Sequence, residues 1–260
     1  MKIVVCIKQV PDTTEVKINP VTGTIIREGI PSIMNPDDKG GLELALRLKD
    51  EFGAHVTVIT MGPPQADAIL REAFAMGVDR AILLTDRAFA GADTLATSHA
   101  LAAALENIEH DVVITGRQAI DGDTAQVGPQ ISEHLHLPLI SYVADAKYDG
   151  QGTFRVKKET EDGYQILETP TPCVFTVLAS AIKPRYMSVR GIVEAFDRQV
   201  EIWTVDNIKI EREKLGLKGS PTHVKKSFAK GMKQPGAVYE VTPEEAVDLI
   251  MEKLKEKFII

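Results

Sequence analysis

Short runs of β-branched and apolar residues alternate, through the first half of the chain, with longer stretches of helical period. Residues 3–7 (IVVCI) form a continuous apolar run, as a strand covered on both faces requires. In the polar stretch that follows, VKINPVTGTIIR reads as a hairpin turning between Asn19 and Gly23. The segment NPDD then opens a helix. Asn35 is its N-cap, Pro36 suits the first turn, and Asp37 and Asp38 favour the positive end of the dipole. Leu42, Ala45, Leu46 and Leu48 carry the period to Phe52, where Gly53 ends it.

The same cycle recurs three times. Strands are predicted at 55–60 (HVTVIT), 80–85 (RAILLT) and 111–115 (DVVIT), and helices at 66–76, 93–105 and 124–135. Strand and helix in alternation imply right-handed crossovers and an α/β, doubly wound, mostly parallel sheet. After Pro138 the pattern changes to alternating polar and apolar residues around Asp149-Gly150 and Asp162-Gly163, both hairpin signals. Residues 171–179 (TPCVFTVLA) return as a buried strand, so an antiparallel edge is expected on the parallel sheet. Residues 182–237 show little periodicity, and a well-capped helix begins at Thr242-Pro243. The expected division is 1–181 as an α/β domain and 182–260 as an extended arm packing on another chain.

Charge and cysteine usage narrow the function classes. The net charge of −7 argues against a general nucleic-acid binder. No stretch of about 18 apolar residues exists to span a membrane. The two cysteines, Cys6 and Cys173, both lie in apolar runs and read as buried thiols of a cytoplasmic protein. The six histidines are scattered, and no metal site is expected from them.

In an open parallel sheet, ligands bind beyond the carboxyl ends of the strands. The tips to watch are 6–8, 60–62, 86–97 and 116–127. The last, within GRQAIDGDTAQVG, carries Gly116 and Gly122 and places Thr124 and Ala125 at a helix start, where backbone N–H groups can hold a diphosphate. Arg117 offers a forked donor, while Gln118 and Gln126 offer amides. It is neither a Walker loop nor GxGxxG. The alternative is a loop in which Asp121 and Asp123 merely cap a helix. Beside a phosphate two carboxylates would repel, so at least one is expected to turn to the backbone.

These residues carry a resemblance. GRQAIDGDTAQVGPQISEHLHLP (116–138), KQVPD (8–12), MNP (34–36), the MG at Met61 and PRYMSVRGI (184–192) together resemble the beta, or small, subunit of electron transfer flavoproteins, over essentially the whole chain. The family's fold is the adenine nucleotide alpha hydrolase-like form of the sheet derived above, with a C-terminal arm wrapping an alpha subunit.

The resemblance implies an adenine nucleotide held by Cys6, Asn35, Pro36, Asp37, Asp38, Met61, Gly116, Arg117, Gln118, Ala119, Ile120, Asp121, Gly122, Asp123, Thr124, Ala125, Gln126 and Val127. In respiratory members it is AMP. In anaerobic electron-bifurcating members it is FAD, which accepts hydride from NADH. FAD is favoured on three counts: Gly122 where respiratory members tend to carry a carboxylate, the loop FAGADTLAT with Asp93, Thr94 and Thr97 at a helix start, and the opening VVCIKQVPDTTEVKI. FAGADTLAT also reads as a plain loop with Asp93 as N-cap. Further implied partners are ferredoxin or flavodoxin and an acyl-CoA dehydrogenase-type enoyl-CoA reductase, of the crotonyl-, acryloyl- or caffeyl-CoA class. That reductase would be docked by Arg185, Met187, Val189 and Arg190. A non-redox adenine-nucleotide-binding module remains the competing class.

Overall fold

The computed structural model describes residues 1–12, 17–18, 25–26, 31–180, 182–222 and 236–260. The chain opens with β1 (Lys2–Cys6), then β2 (Gln9–Pro11), β3 (Lys17–Ile18), β4 (Ile25–Ile26) and β5 (Ser32–Met34). Strand β2 pairs with β5, and β3 with β4, both antiparallel. The β3–β4 pairing agrees with the expected hairpin, whose turn lies outside the described residues. Helix α1 (Pro36–Phe52) follows, then β6 (His55–Met61), α2 (Asp67–Met76), β7 (Arg80–Leu84), α3 (Thr94–Leu105), β8 (Val112–Gly116) and α4 (Val127–Leu135). Strands β9 (Leu139–Tyr148), β10 (Thr153–Thr160) and β11 (Gly163–Pro170) form a meander, and β12 (Cys173–Val177) returns to the centre.

The main sheet runs β11-β10-β9-β12-β8-β1-β6-β7-β13, where β13 is Glu201–Trp203. It is parallel from β9 to β13 and antiparallel at β9-β10-β11, as the sequence pattern requires. Strand periodicity sorts its two faces. Ile3, Val5, Val112, Ile114 and Phe175 pack with α1 and α2, while Val4, Cys6, Val113 and Val174 pack with α3 and Ile131 of α4. Successive strands from β1 run outward to β7, and the chain then crosses back to β8. The topological switch point therefore lies between β1 and β8.

That point is tied down by the start of α1. Asn35 precedes the helix but makes no capping bond to it. Its Nδ2 donates to the Gln118 carbonyl at 2.8 Å, and its Oδ1 accepts from the Ile120 N–H at 3.1 Å. Asp38 accepts from the N–H groups of Lys8 at 2.8 Å and Gly116 at 3.0 Å. Asp37 accepts from Ala179 N–H at 2.8 Å and Gln118 N–H at 3.3 Å. Three consecutive strand tips, those of β1, β8 and β12, thus hang on one buried helix turn. The approach is close enough that a Cβ at Gly116 would stand 2.3 Å from Asp38 Oδ1. At the opposite side of β8, a Cβ at Gly128 would meet Thr115 Oγ1 at 2.6 Å, so glycine there lets α4 lie on the sheet.

Beyond β12 the chain adds short elements to the same unit. Residues 189–195 form helix α5 (Val189–Ala195), capped by the Ser188 side chain, and it packs on α2. Arg71 of α2 donates to the Ala195 carbonyl at 2.7 Å. Trp203 lies in β13, paired with β7, and Val205, Ile208 and Leu215 are buried in the core. The irregular sequence hid this because a three-residue strand and a seven-residue helix are too short to show a period. The compact units are Met1–Lys225 and Lys226–Ile260. The second unit contains α6 (Pro243–Glu256), closed by the expected Thr242–Glu245 capping box and exposing Val247, Ile250 and Met251.

Burial first, and the neighbouring Asp37 charge last, push the Asp38 carboxyl up to about 7 against the Asn35 side chain and the backbone donors of Lys8 and Gly116. The folded state therefore holds a proton that the unfolded chain releases, and stability falls as pH rises from about 4 to about 7, by up to about 1.4 kcal/mol per pH unit. Urea unfolding of wild type and Asp38→Asn across that range should show their stability difference falling with pH; a rising difference contradicts the assignment. Gly128→Ala should cost about 1–3 kcal/mol by overpacking, read as a lower urea midpoint at unchanged slope.

Candidate nucleotide-binding site

A cavity of about 800 Å³ opens over the carboxyl-end tips of β8, β1, β6 and β7. Its floor includes Cys6, Met61 and Thr115. One wall is the loop after β8 with the start of α4; the other is the segment 85–94 with the start of α3.

The β8 loop has a defined shape. The N–H groups of Gly122 and Asp123 both donate to the Ala119 carbonyl, closing a turn. Asp123 and Ala125 then take left-handed backbone angles (φ 51° and 53°), an uncommon state for residues with a Cβ. That delays the helix. α4 starts at Val127, with Gln126 as its cap residue, so Thr124 and Ala125 precede the helix instead of forming its first turn. The correction strengthens the loop as an anion cradle. The N–H groups of residues 124–128 find no acceptor among the described residues, and all five residues line the cavity. A Cβ at Gly122 would meet nothing, so the fold itself does not require glycine there.

Neither loop carboxylate turns to the backbone. Asp121 pairs with Lys8 Nζ at 2.7 Å, and Asp123 accepts from Gln118 Nε2 at 2.9 Å. Lys8, just past β1, pairs the Asp121 charge, and the neutral Gln118 amide of the loop hydrogen-bonds Asp123, a solution invisible without the fold. Arg117 sits 3.5 Å from Asp37 and over the Tyr142 ring, and its terminal nitrogens make no hydrogen bond among the described residues. Thr94 Oγ1 donates to Gln126 Oε1 at 2.8 Å, joining the two walls. Burial first, then Asp38, pushes the Cys6 thiol up to about 12, so it is a neutral part of the floor.

Of the residues singled out by sequence, Cys6, Asp38, Met61, Asp93, Thr94, Thr97, Gly116, Arg117, Gln118, Ala119, Gly122, Asp123, Thr124, Ala125, Gln126 and Val127 come together around the cavity. Asn35, Pro36, Asp37, Ile120 and Asp121 do not line it: Asn35 and Asp37 are buried beneath the loop, and Pro36 borders a different, smaller pocket. Asp93 is the α3 N-cap. Burial opposes ionisation, but N–H donors of Ala96 and Thr222 hold its carboxyl below the usual range. Lys8, Arg87 and Phe89, inside the strand-tip segments 6–8 and 86–97, also line the cavity, as do Pro63 and Gly128, which lie outside the segments read from sequence.

In the segment 184–192 both arginines are paired with carboxylates of this chain. Arg185 is committed to Glu43 at 2.9 Å and Asp50 at 2.7 Å, and Arg190 to Glu194 at 2.6 Å. What projects is apolar: Val189, Val193, Phe196 and the 92% exposed Tyr186, with Met187 less so. The histidines are not all scattered either. His99 and His134 stack at 4.2 Å between α3 and α4, and burial foremost holds both below the usual imidazole range. No group of three or more metal-ligating residues occurs among the described residues, and no helix there is long and apolar enough to cross a membrane.

Comparison with known proteins gives the site its family. The electron transfer flavoprotein domain matches residues 22–208. The chain is 57% identical over 260 residues to the electron transfer flavoprotein subunit beta of Clostridium acetobutylicum, covering 100% of both chains. It is 51% identical to the caffeyl-CoA reductase-Etf complex subunit CarD of Acetobacterium woodii, and 45% identical to the acryloyl-CoA reductase electron transfer subunit gamma of Anaerotignum propionicum, each again over 100% of both chains. A switch-point cleft with an anion-ready loop, and likeness along the entire length, lead to one assignment: the chain belongs to the electron transfer flavoprotein family, as a beta subunit.

Proposed function

We propose that this chain, working in the cytoplasm beside an alpha subunit, holds an FAD that accepts hydride from NADH and divides the electron pair. One electron would go to ferredoxin or flavodoxin, the other through an alpha-subunit FAD to an acyl-CoA dehydrogenase-type enoyl-CoA reductase. The names of the caffeyl-CoA and acryloyl-CoA reductase relatives support the last partner.

The observation that carries the reading is the cavity's reach. It is not confined to the β8 loop; it crosses β1 and β6 to the tip of β7, three strand spacings or about 14 Å. About 800 Å³ is near the top of the ~300–1,000 Å³ usual for small-molecule sites. A mononucleotide would engage the β8 loop alone. A dinucleotide uses both ends.

The residues fit such a group. The N–H groups of 124–128 and the Arg117 guanidinium would hold the diphosphate, and Gly122 leaves space beside it. Lys8 cancels the Asp121 charge that would otherwise oppose the phosphates. Phe89, Met61 and Leu101 supply apolar walls that exclude water, while Thr94 and Thr97 offer hydroxyls at the α3 end. The neutral Cys6 thiol and the capped Asp93 take no part in proton transfer. Chemistry at the flavin would thus depend on position and surroundings, without an acid or nucleophile from this chain.

Flavin counting tests this directly. The native alpha–beta complex, purified without added nucleotide, acid-extracted and chromatographed, should yield two FAD per heterodimer. One FAD with one AMP overturns the reading.

A further inference from the structure

The wall of the cavity formed by residues 85–94 is held by a segment more than a hundred residues further along the chain. Residues 215–222 are bonded to it at three points. The Leu217 N–H donates to the Ala90 carbonyl at 3.0 Å, the Asp93 N–H donates to Ser220 Oγ at 2.8 Å, and the Thr222 N–H donates to Asp93 Oδ2 at 3.0 Å. The approach is close. Gly216 takes φ 52°, and a Cβ there would press into the Ala88 carbonyl oxygen. Leu215 is buried in the same apolar cluster as Phe89, which fixes the strap at its other end.

Ser220 is the centre of this contact. It is buried, and its hydroxyl has both roles filled: it donates to the Gly216 carbonyl at 2.7 Å and accepts from Asp93. Asp93 is the N-cap of α3, so its own N–H lies outside the helix and needs a partner from elsewhere. Its carboxylate is spent on Ala96 within the helix and on Thr222 of the strap. The backbone at the start of α3 is therefore set from outside, immediately before Thr94 and Thr97, which line the cavity. Thr94 in turn bonds Gln126 on the opposite wall. The strap itself supplies no residue to the cavity lining.

We propose that Ser220 is a positioning residue: through the Asp93 amide it sets where the start of α3 presents Thr94 and Thr97 to the flavin end of the cavity. This rests on the FAD reading above and deepens it, extending the site to a strap that never touches the cofactor.

The native alpha–beta complex carrying Ser220→Ala tests this. Beside it stand Thr222→Pro, which removes the exposed second tie to Asp93, and Val156→Ala, a core substitution in β10, three strands from β8. Retention of FAD is read from the fluorescence of flavin released on serial dilution, and the midpoint potentials of both flavins from a reductive titration. Leaving the Asp93 N–H without its acceptor should weaken retention of one FAD by about tenfold. Its potential should shift, by about 30 mV for each tenfold by which that loss differs between oxidised and two-electron-reduced flavin, while the other flavin holds. Thr222→Pro should shift the same potential in the same direction. Val156→Ala should lower the urea midpoint and leave both potentials in place. Unmoved potentials in Ser220→Ala overturn the proposal, as does an equal shift in Val156→Ala, which reduces the effect to stability alone. Should Ser220→Ala not fold, Thr222→Pro decides, a shift supporting the proposal and its absence overturning it. A wild-type complex holding a single FAD overturns the FAD reading itself, an outcome distinct from a two-FAD complex indifferent to the strap.

Discussion

The first turn of α1 is the constraint on which the rest of this structure depends. Asn35, Asp37 and Asp38 are buried, and together they bind the backbone at the tips of β1, β8 and β12. Burying two carboxylates side by side is costly, and backbone N–H donors offset that cost only in part. What results is a sheet whose switch point cannot splay. The loop after β8 therefore starts from a fixed origin, and its left-handed residues at 123 and 125 are held instead of relaxing into an earlier helix turn. Left free, the N–H groups of 124–128 can meet an anion.

The cleft itself follows from topology. Parallel strands placed on either side of a switch point leave their connections diverging above it. Here the β8–α4 connection forms one wall and the β7–α3 connection the other, with Thr94 and Gln126 bonded across. Lys8 and Arg117 stand beside the cradle, paired with Asp121 and Asp37.

Most of the architecture was legible in the sequence because five of the parallel strands are apolar on both faces and the helices between them are amphipathic or carry clear caps. The loop 116–127 was legible as an anion site for its glycines and its place between strand and helix. Other features were hidden. Asn35 carries the sequence signature of an N-cap, but its side chain reaches across to Gln118 and Ile120, more than eighty residues away in the chain. The delayed start of α4 depends on backbone angles that Asp123 and Ala125 rarely adopt. Arg185 looked like a free docking charge until Glu43 and Asp50 were brought beside it. The β13 strand has three residues, too few for any pattern. For Asn35, Arg185 and β13 the deciding partner is distant in sequence.

The central claim is that this buried turn presets a cradle for the diphosphate of a dinucleotide extending toward β7. A crystal structure of the alpha–beta complex with its native nucleotide tests it most directly. Phosphate oxygens should lie within hydrogen-bonding distance of the N–H groups in 124–128, with the backbone of 116–128 unchanged from the arrangement described here and the second ring system over β1 and β6. A nucleotide seated elsewhere, or a loop rebuilt around it with the Asn35, Asp37 and Asp38 bonds broken, would contradict the account.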